Sequence, residues 1–150
     1  MKTRHLPCAA LVLFGFAIIA FAQSEKIPAY NQAAPAASAQ LAPIVPKTQR
    51  SGEAYAMKYQ QVAYDVAQKI PRVLYQMPCY CYCDRIGHNS LRSCFESSHG
   101  AHCATCMKEA FYTYFETKKG KSPKQIREGI IKGEWQSLDL EQSAERASKM

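Results

Sequence analysis

Six of the seven cysteines lie between residues 79 and 106, together with three of the four histidines. Cys79, Cys81, Cys83, Cys94, Cys103 and Cys106 share that stretch with His88, His99 and His102. From residue 23 onward, the rest of the chain contains neither residue type. This segregation is the strongest functional signal in the sequence. Sulfur and imidazole concentrated in one short segment must either bond to each other or converge on something shared.

The triplet Cys79, Cys81, Cys83 alternates with Tyr80 and Tyr82. In an extended segment the three thiols point one way and the two rings the other, with neighbouring cysteine Cα atoms about 6.6 Å apart. That spacing is near the upper limit for a disulfide, so bonds within the triplet are disfavoured. The thiols can converge on an ion if the chain curls. A flat strand does not suffice, because a tetrahedral ion needs each sulfur about 2.3 Å from its centre.

His99, His102, Cys103 and Cys106 follow at i, i+3, i+4 and i+7. A helix beginning by His99 would project all four from one face. Its N-terminal dipole would lower the pKa values of Cys103 and Cys106. Thiolate plus imidazole is ligand chemistry for zinc or copper.

Three readings stay open. In the first, the six cysteines are thiolate ligands and His88, His99 and His102 are additional ligands. In the second, the Cys103-x-x-Cys106 spacing forms a local redox disulfide. In the third, the cysteines are three structural disulfides of a small exported interaction module without metal. Covalent haem is excluded by spacing, since Met107 and not histidine follows Cys106. Met77 and Met107 read as core filler, and Ser90, Ser93, Ser97 and Ser98 as turn formers. Asp84 and Glu96 read as solvated loop residues, and no catalytic set is assigned.

The N-terminus places the module outside the cytoplasm. Lys2, Arg4 and His5 precede an apolar run over residues 8–22 that ends Ala20-Phe21-Ala22. The run is too short to span a bilayer, which needs about 20 apolar residues. It reads as a signal peptide over residues 1–22, cleaved after Ala22, giving a periplasmic or secreted protein. Residues 23–50, rich in Ala, Pro, Gln and Ser, read as a disordered linker and tether. Loss of Lys2 and Arg4 takes the net charge from +7 to +5. The excess of Lys and Arg over residues 118–132 reads as the solvated side of helices, compatible with a membrane surface or an exported protein partner. Nucleic acid is excluded as a partner, for want of aromatic stacking residues on the basic segment.

The Cys-rich module spans residues 51–135. Tyr55, Tyr59, Val62, Val66 and Ile70 predict a helix over residues 52–70 that Pro71 ends. A polar loop over residues 85–100 follows the triplet. A second helix is predicted over residues 99–119, with Cys103, Met107, Ala110 and Tyr114 inward and Gly120 closing it. A third starts at Ser122, with Pro123 at its first position and Gln125 completing a capping box. Ile126, Ile130 and Ile131 form its buried side, and Trp135 packs back over the core. Residues 136–150 are predicted to be a charged, fraying tail. The fold class is mostly α: a small three-helix module with a Cys-rich loop packed against a helix N-terminus.

Pro78-Cys-Tyr-Cys-Tyr-Cys83, Gly87-His88, Ser93-Cys94-Phe95 and Ala101-x-Cys-x-x-Cys106 resemble the bacterial PCYCGC-motif, or CYCXC-family, (seleno)proteins. The resemblance continues through the Ile126-Arg127 helix to Trp135. The family brings a label and no mechanism. Relatives that look like selenoproteins imply redox or soft-metal chemistry at one of the triplet positions. Many relatives look like lipoproteins and carry Gly where this chain has Tyr82.

Overall fold

The computed structural model describes residues 26–150, so the leader expected over residues 1–22 lies outside the described part. The described residues form five α-helices and no strands, joined by short 3-10 turns. Helix α1 runs Lys58–Lys69, α2 Pro71–Leu74, α3 Ala104–Lys118, α4 Pro123–Ile131 and α5 Leu140–Ser148. None is long and apolar enough to cross a membrane.

Helix α1 starts later than its apolar spacing predicts. Gly52 takes a φ of 79° and Glu53–Tyr55 forms a separate 3-10 turn that buries Tyr55. Extended backbone at Met57 then resets the chain, and Gln60 folds back onto its N–H. Pro71 ends α1 as expected and starts α2 at once, since proline fits a first helical turn. Helix α4 shows the predicted Ser122/Gln125 capping box. Ile126 and Ile130 are buried, whereas Ile131, expected inside, is 37 % exposed. Trp135 closes back on α4, its Nε1 donating to the Ile130 carbonyl at 3.2 Å.

Residues 26–50 and the tail after residue 136 are more ordered than composition predicts. The tail forms α5, which packs on α1 and α3. Asp139 caps it by accepting from the Gln142 N–H at 2.9 Å, and Ser143, Ala144 and Ala147 are its buried side. Arg146 lays its guanidinium over the Phe115 ring, 4.0 Å from the centroid. Small residues among charges bury a face without raising mean hydropathy, which hides such a helix from a composition reading. The stretch expected as a free tether is likewise fastened to the module. Ile44 is buried in the core, and the Val45 N–H donates to the Phe95 carbonyl at 3.0 Å. Arg50 donates to Val45 O, Gln61 O and Asp65 Oδ1, clipping the segment onto α1.

The core lies between α1, α3 and α4. Tyr64, Phe111, Tyr114, Leu74, Ile126 and Ile130 are each essentially inaccessible. Phe95 meets Tyr64 edge-on at 4.9 Å, and this ties the loop that precedes α3 to α1. The Cys-rich segment thus lies across the N-terminal end of α3, with one wall supplied by α1.

Gly100 marks the closest approach in this region. A Cβ there would stand 2.7 Å from the Cys94 carbonyl oxygen and 3.3 Å from the Tyr64 hydroxyl. Backbone cannot yield as a side-chain tip does. Gly100→Ala is therefore expected to destabilise the protein by about 1–3 kcal/mol, the usual range for overpacking. Urea unfolding checks this, and a variant as stable as wild type would show that the two segments are not held in contact.

Candidate metal centre

The cysteine triplet does not run as a strand. The Tyr82 N–H donates to the Cys79 carbonyl at 3.0 Å, closing a turn over residues 79–82. Tyr82 itself is left-handed, at φ 56° and ψ 35°. It is the sole non-glycine residue with positive φ among those described. The two features curl the triplet so that Cys81 meets the sulfurs on either side of it. Cys79 and Cys81 Sγ atoms are 3.0 Å apart, and those of Cys81 and Cys83 2.8 Å.

Three other turns bring in the remaining donors. The 3-10 turn Leu91–Phe95 holds Cys94, anchored by the Leu91 N–H donating to the Met77 carbonyl at 2.8 Å. Cys94 Sγ lies 3.8 Å from that of Cys79. The 3-10 turn Ser98–His102 carries His99, whose Nε2 is 2.9 Å from Cys83 Sγ. The first turn of α3 carries Cys106, whose sulfur is 3.5 Å from Cys79 and 3.4 Å from Cys81. Donor atoms of Cys81, Cys83, Cys94, His99 and Cys106 all fall within 4.8 Å of one another. The six cysteines among the described residues are free thiols, with no pair at the about 2.05 Å of a disulfide bond.

The histidines and Cys103 are placed differently from the single-face expectation. Helix α3 begins at Ala104, and residues 98–102 belong to a separate 3-10 turn, with Cys103 extended between them. His99 still reaches the sulfurs, but from its own turn. His102 is exposed and lies outside the group of converging donors. Cys103 caps α3, its sulfur accepting from the Cys106 N–H at 3.5 Å, and stands half-buried at the rim. His88 joins from the other side, with Nδ1 3.3 Å from Cys94 Sγ and its ring 5.0 Å from that of His99.

Protons in this cluster are shared unequally. The Cys81 thiol is pulled down, chiefly by hydrogen bonding with Cys103 and then with Cys106. Cys106 is pushed up, first by its hydrogen bond with Cys103 and then by those with Cys79 and Cys81. Cys83 is pushed up by burial and by Cys81. At Cys79 and Cys103 the hydrogen bond with Cys106 lowers the pKa, but neighbouring thiols and burial prevail and leave both raised. Both Cys103 and Cys106 are thus raised, where a helix N-terminus alone would lower them. One thiolate forms easily by collecting its neighbours' hydrogen bonds, and its charge then opposes a second. Burial, and next the nearby His99, push His88 down, which favours the neutral imidazole that a metal requires.

Sequence reasoning missed two residues that build this site. Glu109 is fully buried on α3, one turn beyond Cys106, and its Oε1 accepts from the Tyr80 N–H at 2.8 Å. Burial pushes its carboxyl up to about 8, against the opposing Tyr80 hydrogen bond, and Oε2 has no hydrogen-bond partner. Tyr64 on α1 donates from its hydroxyl to the Ser97 carbonyl at 2.5 Å and accepts from the Ala101 N–H at 3.2 Å. It grips the turn carrying His99 at both ends. Glu109 lies off the stripe of Cys103, Met107, Ala110 and Tyr114, and its one mark in the sequence is its place three residues after Cys106. Tyr64 carries no such mark.

Helices enclosing a knot of thiols and imidazole define a small α-helical cysteine-rich protein with a candidate metal centre. Within that class, the chain belongs to the family described as proteins of unknown function with a PCYCGC motif, which it matches over residues 36–136. Comparison with curated proteins and with solved structures gives no match. The motif's name has Gly where this chain has Tyr82, and the left-handed backbone there supplies the physical reason: glycine takes that conformation without steric cost. Here Tyr82 holds it with help from Tyr80, edge-on at 6.0 Å, and from Arg85 over its ring at 5.1 Å.

Substitutions at this position should separate backbone strain from side-chain contacts. Tyr82→Gly relieves the strain and loses the ring contacts, so stability should stay within about 1 kcal/mol of wild type. Tyr82→Val puts a β-branched residue in the left-handed region and should cost about 1–2 kcal/mol. Thermal unfolding of the two variants checks the contrast. Equal stabilities would show that the turn does not depend on positive φ.

Proposed function

We propose that this is an exported metal-binding protein that takes zinc or copper through Cys81, Cys83, Cys94, His99 and Cys106, with Cys79 and His88 as adjoining donors. The observation that carries the reading is the convergence of five sulfur and nitrogen donors within 4.8 Å of one another. Soft thiolate and imidazole ligands select such ions over magnesium or calcium. A cation also answers the charge problem of the site, because it lets several neighbouring thiols ionise at once. The basic, apolar leader supports action outside the cytoplasm.

Protein expressed with its leader and purified from the periplasm should contain stoichiometric zinc or copper. Its intact mass in denaturant should correspond to cleavage after Ala22 with six free thiols. A metal-free protein lighter by about six hydrogens, the signature of three disulfides, would instead establish a stapled scaffold.

One observation favours thiol–disulfide exchange as a second reading. Cys103 is half-buried at the start of α3 while Cys106 behind it is buried, so one thiol is reachable and the other can resolve. Cys103 would attack a substrate disulfide, and Cys106 would displace the mixed disulfide, leaving the substrate reduced and this pair oxidised. The raised Cys103 pKa ranks this reading second, since the thiolate is the nucleophile. Disulfide reduction lost in Cys103→Ser would establish it. Equal rates in wild type and variant would remove it.

A further inference from the structure

The donors outnumber the places around one ion. His99 Nε2 lies 2.9 Å from Cys83 Sγ. His88 Nδ1 lies 3.3 Å from Cys94 Sγ, and Cys94 lies 3.8 Å from Cys79, which in turn is 3.5 Å from Cys106. Cys81 connects these groups: its sulfur is 2.8 Å from Cys83, and 3.0 Å and 3.4 Å from Cys79 and Cys106. A tetrahedral ion takes four donors, so a single ion would leave at least three of these seven unused.

Resting on the metal-binding reading above, we propose that the centre is polynuclear: a thiolate-bridged cluster of at least two copper(I) ions in which Cys81 is the bridging sulfur. Soft thiolate donors suit copper(I), and with Cys81 shared the seven donors fill the places around two ions. Two sulfurs on one tetrahedral ion stand about 3.8 Å apart, so each contacting pair here need open by no more than about 1 Å. An iron–sulfur core fits less well. Inorganic sulfide would have to be inserted between protein sulfurs that already touch. Loading transfers thiol protons to solvent as copper–sulfur bonds form, and no electron moves.

The polynuclear centre also accounts for the thiols that a single-ion site would strand. Cys79, Cys94 and Cys106 are at most 4 % exposed, and each has another sulfur of the cluster within 3.8 Å. Cys103, at the rim beside Cys106, is placed where an incoming ion would first meet sulfur.

The test uses the full exported chain, reduced and titrated with copper(I) under anaerobic conditions against a chromogenic cuprous chelator. Non-denaturing mass spectrometry counts the ions, and X-ray absorption reads copper–copper scattering. Wild type should take up two or more cuprous ions per chain and show that scattering. Cys81→Ser should hold at most one ion and lose the scattering, while His102→Ala, altered outside the cluster, should keep both. If Cys81→Ser does not fold, the wild-type scattering still decides. One copper per chain without copper–copper scattering would overturn the polynuclear centre and leave metal binding standing. A folded, reduced chain that retains neither copper nor zinc would overturn both.

Discussion

Crowded thiols in one buried volume cannot all ionise, and much of this structure is arranged around that constraint. Cys81 sits in contact with Cys79, Cys83 and Cys106, and its easy ionisation adds to the burial and hydrogen bonding that raise its neighbours. In water each thiol would titrate independently near its ordinary value. Packed together, they behave as one acid with several protons, the first released readily and the rest held. Only a positive charge at the centre changes that balance. The raised carboxyl of Glu109, buried beside the triplet, adds to the same excess of suppressed negative charge.

Holding sulfurs at such distances requires that separate turns be fixed against one another, and the helices do this through a few polar contacts. Glu109 on α3 holds the Tyr80 N–H and so fixes the triplet turn from below. Tyr64 and Gln60 on α1 hold the turn with His99, through the Ser97 carbonyl and the Ala101 N–H and carbonyl. Each such hydrogen bond is worth about 1 kcal/mol net, but losing one partner leaves a buried polar group exposed to the full desolvation cost. Gly100 permits the His99 turn to lie directly on the Cys94 backbone. Local turn geometry thus points each donor, and α1 and α3 bring the turns together.

Much of the fold was legible because its signals are local. Ser122, Pro123 and Gln125 mark the start of α4 within four residues, and Pro71 marks the end of α1. The segregation of Cys and His likewise marked the segment whose side chains converge, although His102 lies outside the converging group. What failed was inference from averages and from ideal periodicity. Helix α5 rests on Ser143, Ala144 and Ala147, and the fastened N-terminal stretch on Ile44 and Arg50, too few residues to alter a window's composition. The spacing of His99, His102, Cys103 and Cys106 suits one helix face, yet extended backbone at Cys103 divides it. Periodicity reports which residues would align if the helix were continuous, and says nothing of whether it is. Tyr82 is the converse case. A bulky residue in a turn conformation that favours glycine is tolerated because contacts outside the local sequence hold it there.

The relation between core and cluster bears on what such a centre is suited to do. In the smallest zinc-dependent domains the metal supplies the folding free energy, so removing it unfolds the chain. Here Phe111, Tyr114, Tyr64, Ile126 and Ile130 share one continuous core with Cys79, Cys83, Cys94 and Cys106. The apolar side chains contribute about 1.5–3 kcal/mol of burial each that does not depend on an ion. Tyr64 joins core and site directly, with its ring in the core and its hydroxyl on the His99 turn. A scaffold stabilised in this way can hold its donors assembled without an ion. On the metal-binding reading proposed above, that suits a protein that acquires and gives up soft metal ions more than one that needs a permanent metal staple.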